Sequence, residues 1–103
     1  VNGGLFRHKV GASLAAVRRS GGLPTVNSLN HYISYSEMII PGSNYWNVAH
    51  GANPGEMEQD DEGKQIMEVL GSNMAWILKI IKYGKGQIPA PEPVAKTMTN
   101  FIR

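Results

Sequence analysis

Residues Lys9–Val17 read KVGASLAAV, a run in which nearly every side chain is apolar or small. The run does not alternate between polar and apolar positions, which is typical of a strand that is buried on both faces in a parallel sheet. It ends at Arg18–Gly22, RRSGG, a stretch rich in turn-forming residues. The sequence therefore predicts a buried strand followed by a tight turn.

The sequence after this turn predicts a helix, a short strand and a loop. Pro24 is of the type favoured at helix starts, and apolar residues follow it at helical spacing, so we expect a helix over residues 24–36. Met38–Ile40 is an apolar run closed by Pro41–Gly42, which favours a short strand. Residues 43–59 show no sustained period and are expected to form a long loop.

An apolar stripe at helical spacing follows the acidic run Asp60–Glu62. Acidic residues at the start and lysines near the end complement a helix dipole, so we expect a helix that ends at Gly84. Residues 88–103 contain three prolines and are expected to form an extended tail, with a final turn or two over residues 96–103. The stripe consists of Ile66, Leu70, Met74, Ile77 and Ile81.

The predicted order of strand, helix, strand, helix implies an α/β fold with a parallel sheet and a right-handed crossover. Two strands are fewer than the roughly five or six of an average sheet. We therefore expect residues 1–103 to form a single partial domain, whose sheet is completed by missing sequence or by another chain.

Composition excludes several classes of protein. The 103 residues fit one domain at most, and the absence of Cys excludes disulfides, thiolate zinc sites and cysteine nucleophiles within this sequence. A charged fraction of 17% is low and suggests a surface that meets a partner. Neither a membrane span nor a signal peptide is indicated, so the sequence predicts a cytoplasmic protein with no membrane contact.

The first candidate site is the loop from Val17 to Leu23, because ligands of parallel sheets bind at the carboxyl ends of strands. It offers the guanidinium groups of Arg18 and Arg19, the hydroxyl of Ser20, and Gly21–Gly22 before a helix amino end. These groups suit an anion or an electron-rich carbonyl edge. The alternative is a solvated turn with two surface arginines.

The second candidate site is the loop Gly42–Asn47, which places Tyr45 and Trp46 beside small polar residues. Such a loop closes over a planar ring or forms a subunit interface. The alternative is that both aromatic side chains pack on the last helix.

No metal site or covalent catalysis is predicted. His8, His31 and His50 have no carboxylate at metal-ligand spacing, and structural or solvent roles are favoured for all three. The acidic residues near position 60 lack the EF-hand spacing and are explained by a charged helix start. Ser20 has no base near it in sequence and no nucleophile-elbow pattern.

In combination, several of these stretches resemble the flavodoxin-like NAD(P)H-dependent FMN reductases, and especially the branch related to iron–sulfur flavoproteins. The resemblance covers about residues 5 to 83 and concerns the carboxyl-terminal half of such proteins only. The matching stretches are residues 9–12, 17–22, 29–31, 38–43, 45–47, 54–56 and 73–76.

The resemblance implies a flavodoxin-like, doubly wound parallel sheet of which this chain supplies the last two strands and helices. It also implies that Val17, Arg18, Arg19 and Ser20, with Gly21–Gly22, bind FMN, that NAD(P)H is the co-substrate, and that a small molecule accepts the electrons. Relatives of this type look oligomeric. The phosphate-binding loop of the family has no match in this sequence, and neither do the clustered cysteines of its iron–sulfur branch.

Two other functions stay open at this stage. The first is a non-catalytic half-domain or assembly partner that completes a parallel sheet with another chain and binds no cofactor alone. The second is a basic module for nucleotides or nucleic acid, which rests on the pI near 9.1 and on the arginine pair. The ten basic residues form no clustered stripe, so the sequence predicts no nucleic-acid partner.

Overall fold

The computed structural model describes residues 4–99, and within this range it contains two short strands, two α-helices and one 3₁₀ helix. The strands lie side by side and parallel, which confirms the predicted α/β class. The elements are β1 (Ala15–Val17), α1 (Gly22–Tyr35), β2 (Val48–His50), the 3₁₀ helix (Glu56–Gln59) and α2 (Asp61–Gly84).

The pairing of the two strand segments is interrupted. An isolated parallel bridge joins Val10 to Ile39, and the regular ladder resumes where Ala15 pairs with Val48. Four residues, 11–14, separate these two points on one side, and eight residues, 40–47, separate them on the other. The second segment is four residues longer than the first, so it leaves the sheet as a loop, which we call the 40–47 loop.

The prediction that Met38–Ile40 forms the second strand was wrong, and so was the prediction that residues 43–59 form only a loop. Ile39 makes two backbone hydrogen bonds across the isolated bridge, and pairing then stops because Pro41 has no N–H to donate. The strand lies instead at Val48–His50, which is too short to show a period of two. Because the pairing is interrupted after the bridge from Val10 to Ile39, only Ala15–Val17 of the predicted strand Lys9–Val17 form a regular strand.

Helix α1 confirms the helix predicted over residues 24–36 and begins two residues earlier, at Gly22. Gly21 caps its amino end in the left-handed conformation, with φ 85°. Val26 is the buried side chain of its inner face, 4% exposed. The helix ends before Glu37, whose φ of 58° cannot continue it.

Helix α2 also forms as predicted, with Asp60 as its N-cap. Ile66 and Leu70 are 2% and 4% exposed against the sheet, and they supply most of the buried side-chain volume of this small core. Later in the same helix Trp76 is 64% and Ile81 is 41% exposed. The apolar stripe is therefore buried at Ile66 and Leu70, partly exposed at Met74 and Ile77, and exposed at Ile81.

The tail after α2 has neither helix nor strand over residues 89–99. Arg7 holds it to the body of the protein, because its guanidinium donates to the carbonyl of Pro91 and, from Nε, to Glu37 at 3.2 Å. The final turn predicted over residues 96–103 is not found at 96–99, and the rest of that range lies outside the described residues. Within residues 4–99, neither helix is long and apolar enough to cross a membrane.

Candidate ligand sites at the strand ends

The predicted loop leaves the carboxyl end of β1 and enters α1. Val17 closes the strand and is partly buried, Arg18–Gly21 are exposed, and Gly22 is buried. The register pairs Val17 with His50, so the carboxyl ends of both strands lie at the same edge of the sheet. This is the edge at which ligands of parallel sheets bind.

Glycine stands at each of the two positions 21 and 22 for a different structural reason. Gly21 has φ 85°, a conformation that glycine adopts without strain, and nothing would lie within 4 Å of a Cβ there. At Gly22 a Cβ would lie 2.5 Å from Cγ1 of Val48, so only glycine lets α1 begin this close to β2. No side chain caps this helix end. The N–H groups of Gly22 and Leu23 have no acceptor among the described residues, and Pro24 has no N–H, so two donors at this helix end remain for a ligand oxygen or nitrogen.

A cavity of about 330 Å³ opens beside this helix end, and we call it the strand-end pocket. Ser20–Gly22 form one side of it, and Tyr45 and Trp46 of the 40–47 loop form another. The structure thus brings part of the first predicted site together with the second. Arg18 lines a neighbouring cavity of about 430 Å³ instead, and the side chain of Arg19 is exposed.

Tyr45 and Trp46 are not core residues. They are 58% and 56% exposed, so neither side chain is buried in the core. Their ring centroids lie 5.7 Å apart with the planes tilted by 34°, within the usual range of an aromatic pair. Both residues also line a second pocket, so this exposed aromatic pair separates two cavities, and we call it the exposed aromatic corner.

His50 and Asp60 lie at the wall shared by the strand-end pocket and the cavity that Arg18 lines. The carboxylate of Asp60 accepts from the backbone N–H of Gly63 at 3.0 Å and from that of His50 at 2.8 Å. These two hydrogen bonds, with the nearby imidazole of His50, lower the pKa of Asp60 below its usual range. The imidazole Nδ1 lies 3.7 Å from the carboxylate.

Sequence reasoning did not single out this pair. The sequence favours a structural or solvent role for His50 and explains Asp60 by the charged helix start alone. The run DDEG after a loop is a signal for an N-cap, but the partnership with His50 depends on the tertiary return of α2 to the end of β2.

The second pocket has a volume of about 420 Å³ and lies between α1 and the 40–47 loop. We call it the amide pocket, because four asparagines line it. Leu23 and Val26 form its apolar wall, and it shares Leu23 with the strand-end pocket. The asparagines are Asn27, Asn30, Asn44 and Asn47.

Ser13, 7% exposed beneath the amide pocket, bonds two of these asparagines. Its hydroxyl lies 2.6 Å from Oδ1 of Asn30, and its carbonyl accepts from Nδ2 of Asn47 at 3.0 Å. Oδ1 of Asn47 is shielded from solvent and has no donor among residues 4–99. This network was not predicted from the sequence, since asparagines in a helix and in a loop give no signal that they meet.

No cluster of three or more His, Asp or Glu side chains that could hold a metal ion is found within the described residues. Asp60, Asp61 and Glu62 lie at the start of α2, as the sequence predicted, whereas Glu56 and Glu58 lie in the preceding 3₁₀ helix.

The fold and these sites define an α/β chain with a ligand-sized cavity at the carboxyl ends of its parallel strands. In sequence the chain is similar to an iron-sulfur flavoprotein of Methanocaldococcus jannaschii, with 31% identity over 84 residues. The aligned part covers 75% of this chain and 44% of that protein, so the chain spans less than half the length of the curated relative that it matches. This similarity supports a relationship to the flavodoxin-like flavoproteins. No protein-family model matches the chain. No solved structure matches it either.

Proposed function

We propose that this chain is part of an FMN-dependent NAD(P)H oxidoreductase and that the flavin ring occupies the strand-end pocket. The observation that carries the proposal is the convergence of Ser20–Gly22 with Tyr45 and Trp46 from separate loops at one edge of the parallel sheet. The similarity to a flavoprotein supports it independently.

The residues present fit one edge of a flavin ring. The uncapped amino end of α1 offers N–H donors, and Gly21 leaves open space where a side chain would otherwise stand. An electron-rich carbonyl or nitrogen suits such donors. Tyr45 and Trp46 offer exposed aromatic faces against which a planar ring packs.

When bound, the flavin would supply the hydride chemistry that links a reduced nicotinamide to a small-molecule electron acceptor. The protein itself would hold and orient the ring. The guanidinium groups of Arg18 and Arg19, always charged, lie outside the strand-end pocket in the loop that leads into it, so they would favour negative charge at the edge of the ring near α1 through space rather than by contact. No iron–sulfur cluster is proposed for this chain, because its sequence has no Cys to supply thiolate ligands.

The experiment is a titration of the complete protein with FMN, following flavin fluorescence. We expect Arg18→Ala and Arg19→Ala to weaken FMN binding and to make the bound flavin harder to reduce. Lys79→Ala is the control, because it removes an exposed positive charge from α2, far along the chain from the loop. FMN affinity and reduction potential unchanged in both arginine variants would make the assignment wrong.

A second candidate function is a non-catalytic assembly partner that completes a parallel sheet with another chain. It is favoured by the small core and by the exposed apolar side chains of α2, among them Leu78 and Ile80, each 51% exposed. The radius of gyration of 17.4 Å also exceeds the roughly 13 Å of a compact domain of this length. Both observations fit a surface that another part of the sheet, or a second copy, covers.

Sedimentation of the purified protein separates the two functions when it is combined with an absorption spectrum. A yellow protein supports the oxidoreductase, and a colourless one that forms a stable complex supports the assembly partner. A colourless monomer that unfolds cooperatively at the mass of this chain contradicts both. A cytoplasmic setting remains part of the proposal.

A further inference from the structure

The amide pocket presents a fixed hydrogen-bonding pattern. The contact of 2.6 Å between Ser13 Oγ and Asn30 Oδ1 is of the length expected for O–H···O, whereas the carbonyl of Val26 lies farther away, at 3.3 Å. The hydroxyl hydrogen of Ser13 is therefore directed to Asn30. This fixes the amide of Asn30 with its oxygen towards Ser13 and its NH₂ group unused among residues 4–99.

Asn47 is fixed in the opposite sense. Its Nδ2 donates to the carbonyl of Ser13, which has no hydrogen and accepts only from the NH₂ side of the amide. Its oxygen is then the unused group, and it is the one shielded side-chain oxygen or nitrogen without a partner in the described part of the chain. One buried serine thus orients two asparagines so that Asn30 offers a donor and Asn47 an acceptor.

A donor and an acceptor on two residues that line the same pocket are complementary to a primary carboxamide, which offers a carbonyl oxygen and an NH₂ group. The walls suit a flat ring attached to that carboxamide, since Leu23 and Val26 are apolar and Trp46 is aromatic. None of the residues that line this pocket is charged, so a neutral group binds here without competing with a salt bridge. A buried acceptor without a donor is unfavourable, and a ligand that supplies the donor removes this penalty.

We infer that the amide pocket binds an aromatic primary carboxamide, recognised by Asn30 and Asn47. Its identification as the carboxamide of a reduced nicotinamide rests on the proposed function. The two pockets share Leu23, Tyr45 and Trp46, so a ring in the amide pocket lies next to the cavity proposed for the flavin. Because Asn47 Oδ1 is shielded, binding requires a shift of the 40–47 loop, and Trp46 in that loop reports it.

The test uses the full chain carrying Trp76→Phe, so that Trp46 is the remaining tryptophan. Its fluorescence is titrated with nicotinamide and with 3-acetylpyridine, which keeps the ring and carbonyl but lacks the NH₂ group. We expect saturable binding of nicotinamide that is at least about fivefold tighter, the effect of one net hydrogen bond. Equal affinities for the two ligands, or no saturation by nicotinamide, overturn the inference. This comparison needs no substitution in the pocket.

Asn30→Asp adds a second test, because it keeps an oxygen for Ser13 and replaces the free donor by an acceptor. Asn44→Asp is the matched control, since it places the same charge in the same pocket on a residue bound to Gln65 rather than to Ser13. We expect nicotinamide binding to weaken about tenfold in the first variant and much less in the second. Equal losses in the two variants contradict the recognition by Asn30.

A separate titration with FMN distinguishes the two proposals. If FMN binds and nicotinamide does not, the inference about the amide pocket fails and the proposed function stands. If nicotinamide binds with the expected pattern and FMN does not, the carboxamide site stands and the proposed function fails.

Discussion

A Cβ atom on Gly22 would lie 2.5 Å from Cγ1 of Val48, so the start of α1 and the first residue of β2 touch with no room for a side chain between them. This contact sets how close the amino end of the helix lies to the strand end. The strand-end pocket is built on it, because both residues line that cavity.

Gly22→Ala therefore tests the packing of helix on strand. We expect the substitution to lower the free energy of unfolding by about 1–3 kcal/mol, because the methyl group overpacks the contact with Val48. Urea denaturation followed by circular dichroism measures this. Gly71→Ala is the control in α2, where nothing lies within 4 Å, and it is expected to raise stability by about 0.5–1 kcal/mol. A neutral Gly22→Ala would show that the contact relaxes without cost.

Asp60 predicts a pH dependence of stability. Its pKa lies below the usual range because the carboxylate accepts from the backbone N–H groups of Gly63 and His50. A carboxyl whose pKa is lower in the folded state stabilises the fold above its usual pKa and loses that contribution as the pH falls through the folded-state value. We expect thermal stability to fall below about pH 4 for this reason.

The matched variants for this prediction are Asp60→Asn and Asp61→Asn. Asp60→Asn should remove part of the acid dependence and lower the melting temperature at neutral pH. Asp61 is exposed, and no backbone N–H of the described residues donates to its side chain. Its variant should keep the acid dependence. Identical pH profiles for wild type and Asp60→Asn would contradict the role given to Asp60.

Ser13 provides a prediction about the buried polar network. Ser13→Ala leaves Oδ1 of Asn30 without its donor, so we expect a loss of about 1–3 kcal/mol in the free energy of unfolding. Ser28→Ala on the exposed side of α1 should change stability by less than about 0.5 kcal/mol. The same denaturation curves compare the two, and a similarly small effect at Ser13 would contradict the network.

The exposed aromatic corner gives a prediction about binding. Trp46→Ala should weaken FMN binding about three- to tenfold, the effect of losing one aromatic contact of about 0.5–1.5 kcal/mol. Trp76→Ala removes an indole of similar exposure, 64%, from α2 and should leave the affinity unchanged. Equal effects of the two substitutions on the FMN dissociation constant would place the ring elsewhere.

The long-period patterns of the sequence predicted the fold well, and the short ones did not. Helices α1 and α2 each repeat an apolar spacing over several turns, so their positions follow from the sequence. Strand β2 has three residues, and its partner is chosen by tertiary packing rather than by its own pattern. Met38–Ile40 has the stronger local preference for a strand, yet Pro41 limits it to one bridge.

The candidate site could be predicted in part. The turn after the first strand and the aromatic loop were both predicted, because adjacent glycines and adjacent aromatic residues can be recognised in the sequence. Their meeting in one cavity, the pair of His50 and Asp60, and the two asparagines fixed by Ser13 depend on contacts between distant residues. Neither composition nor spacing carries that information.

The interruption between Ile39 and Val48 also bears on how this protein changes in evolution. The ladder holds the chain on both sides of the 40–47 loop, so the length of the loop can change while the sheet register stays the same. That loop forms one wall of each of the two pockets. An insertion or deletion there would alter which molecules fit without repacking the core, so ligand preference and fold can diverge independently among descendants of this chain.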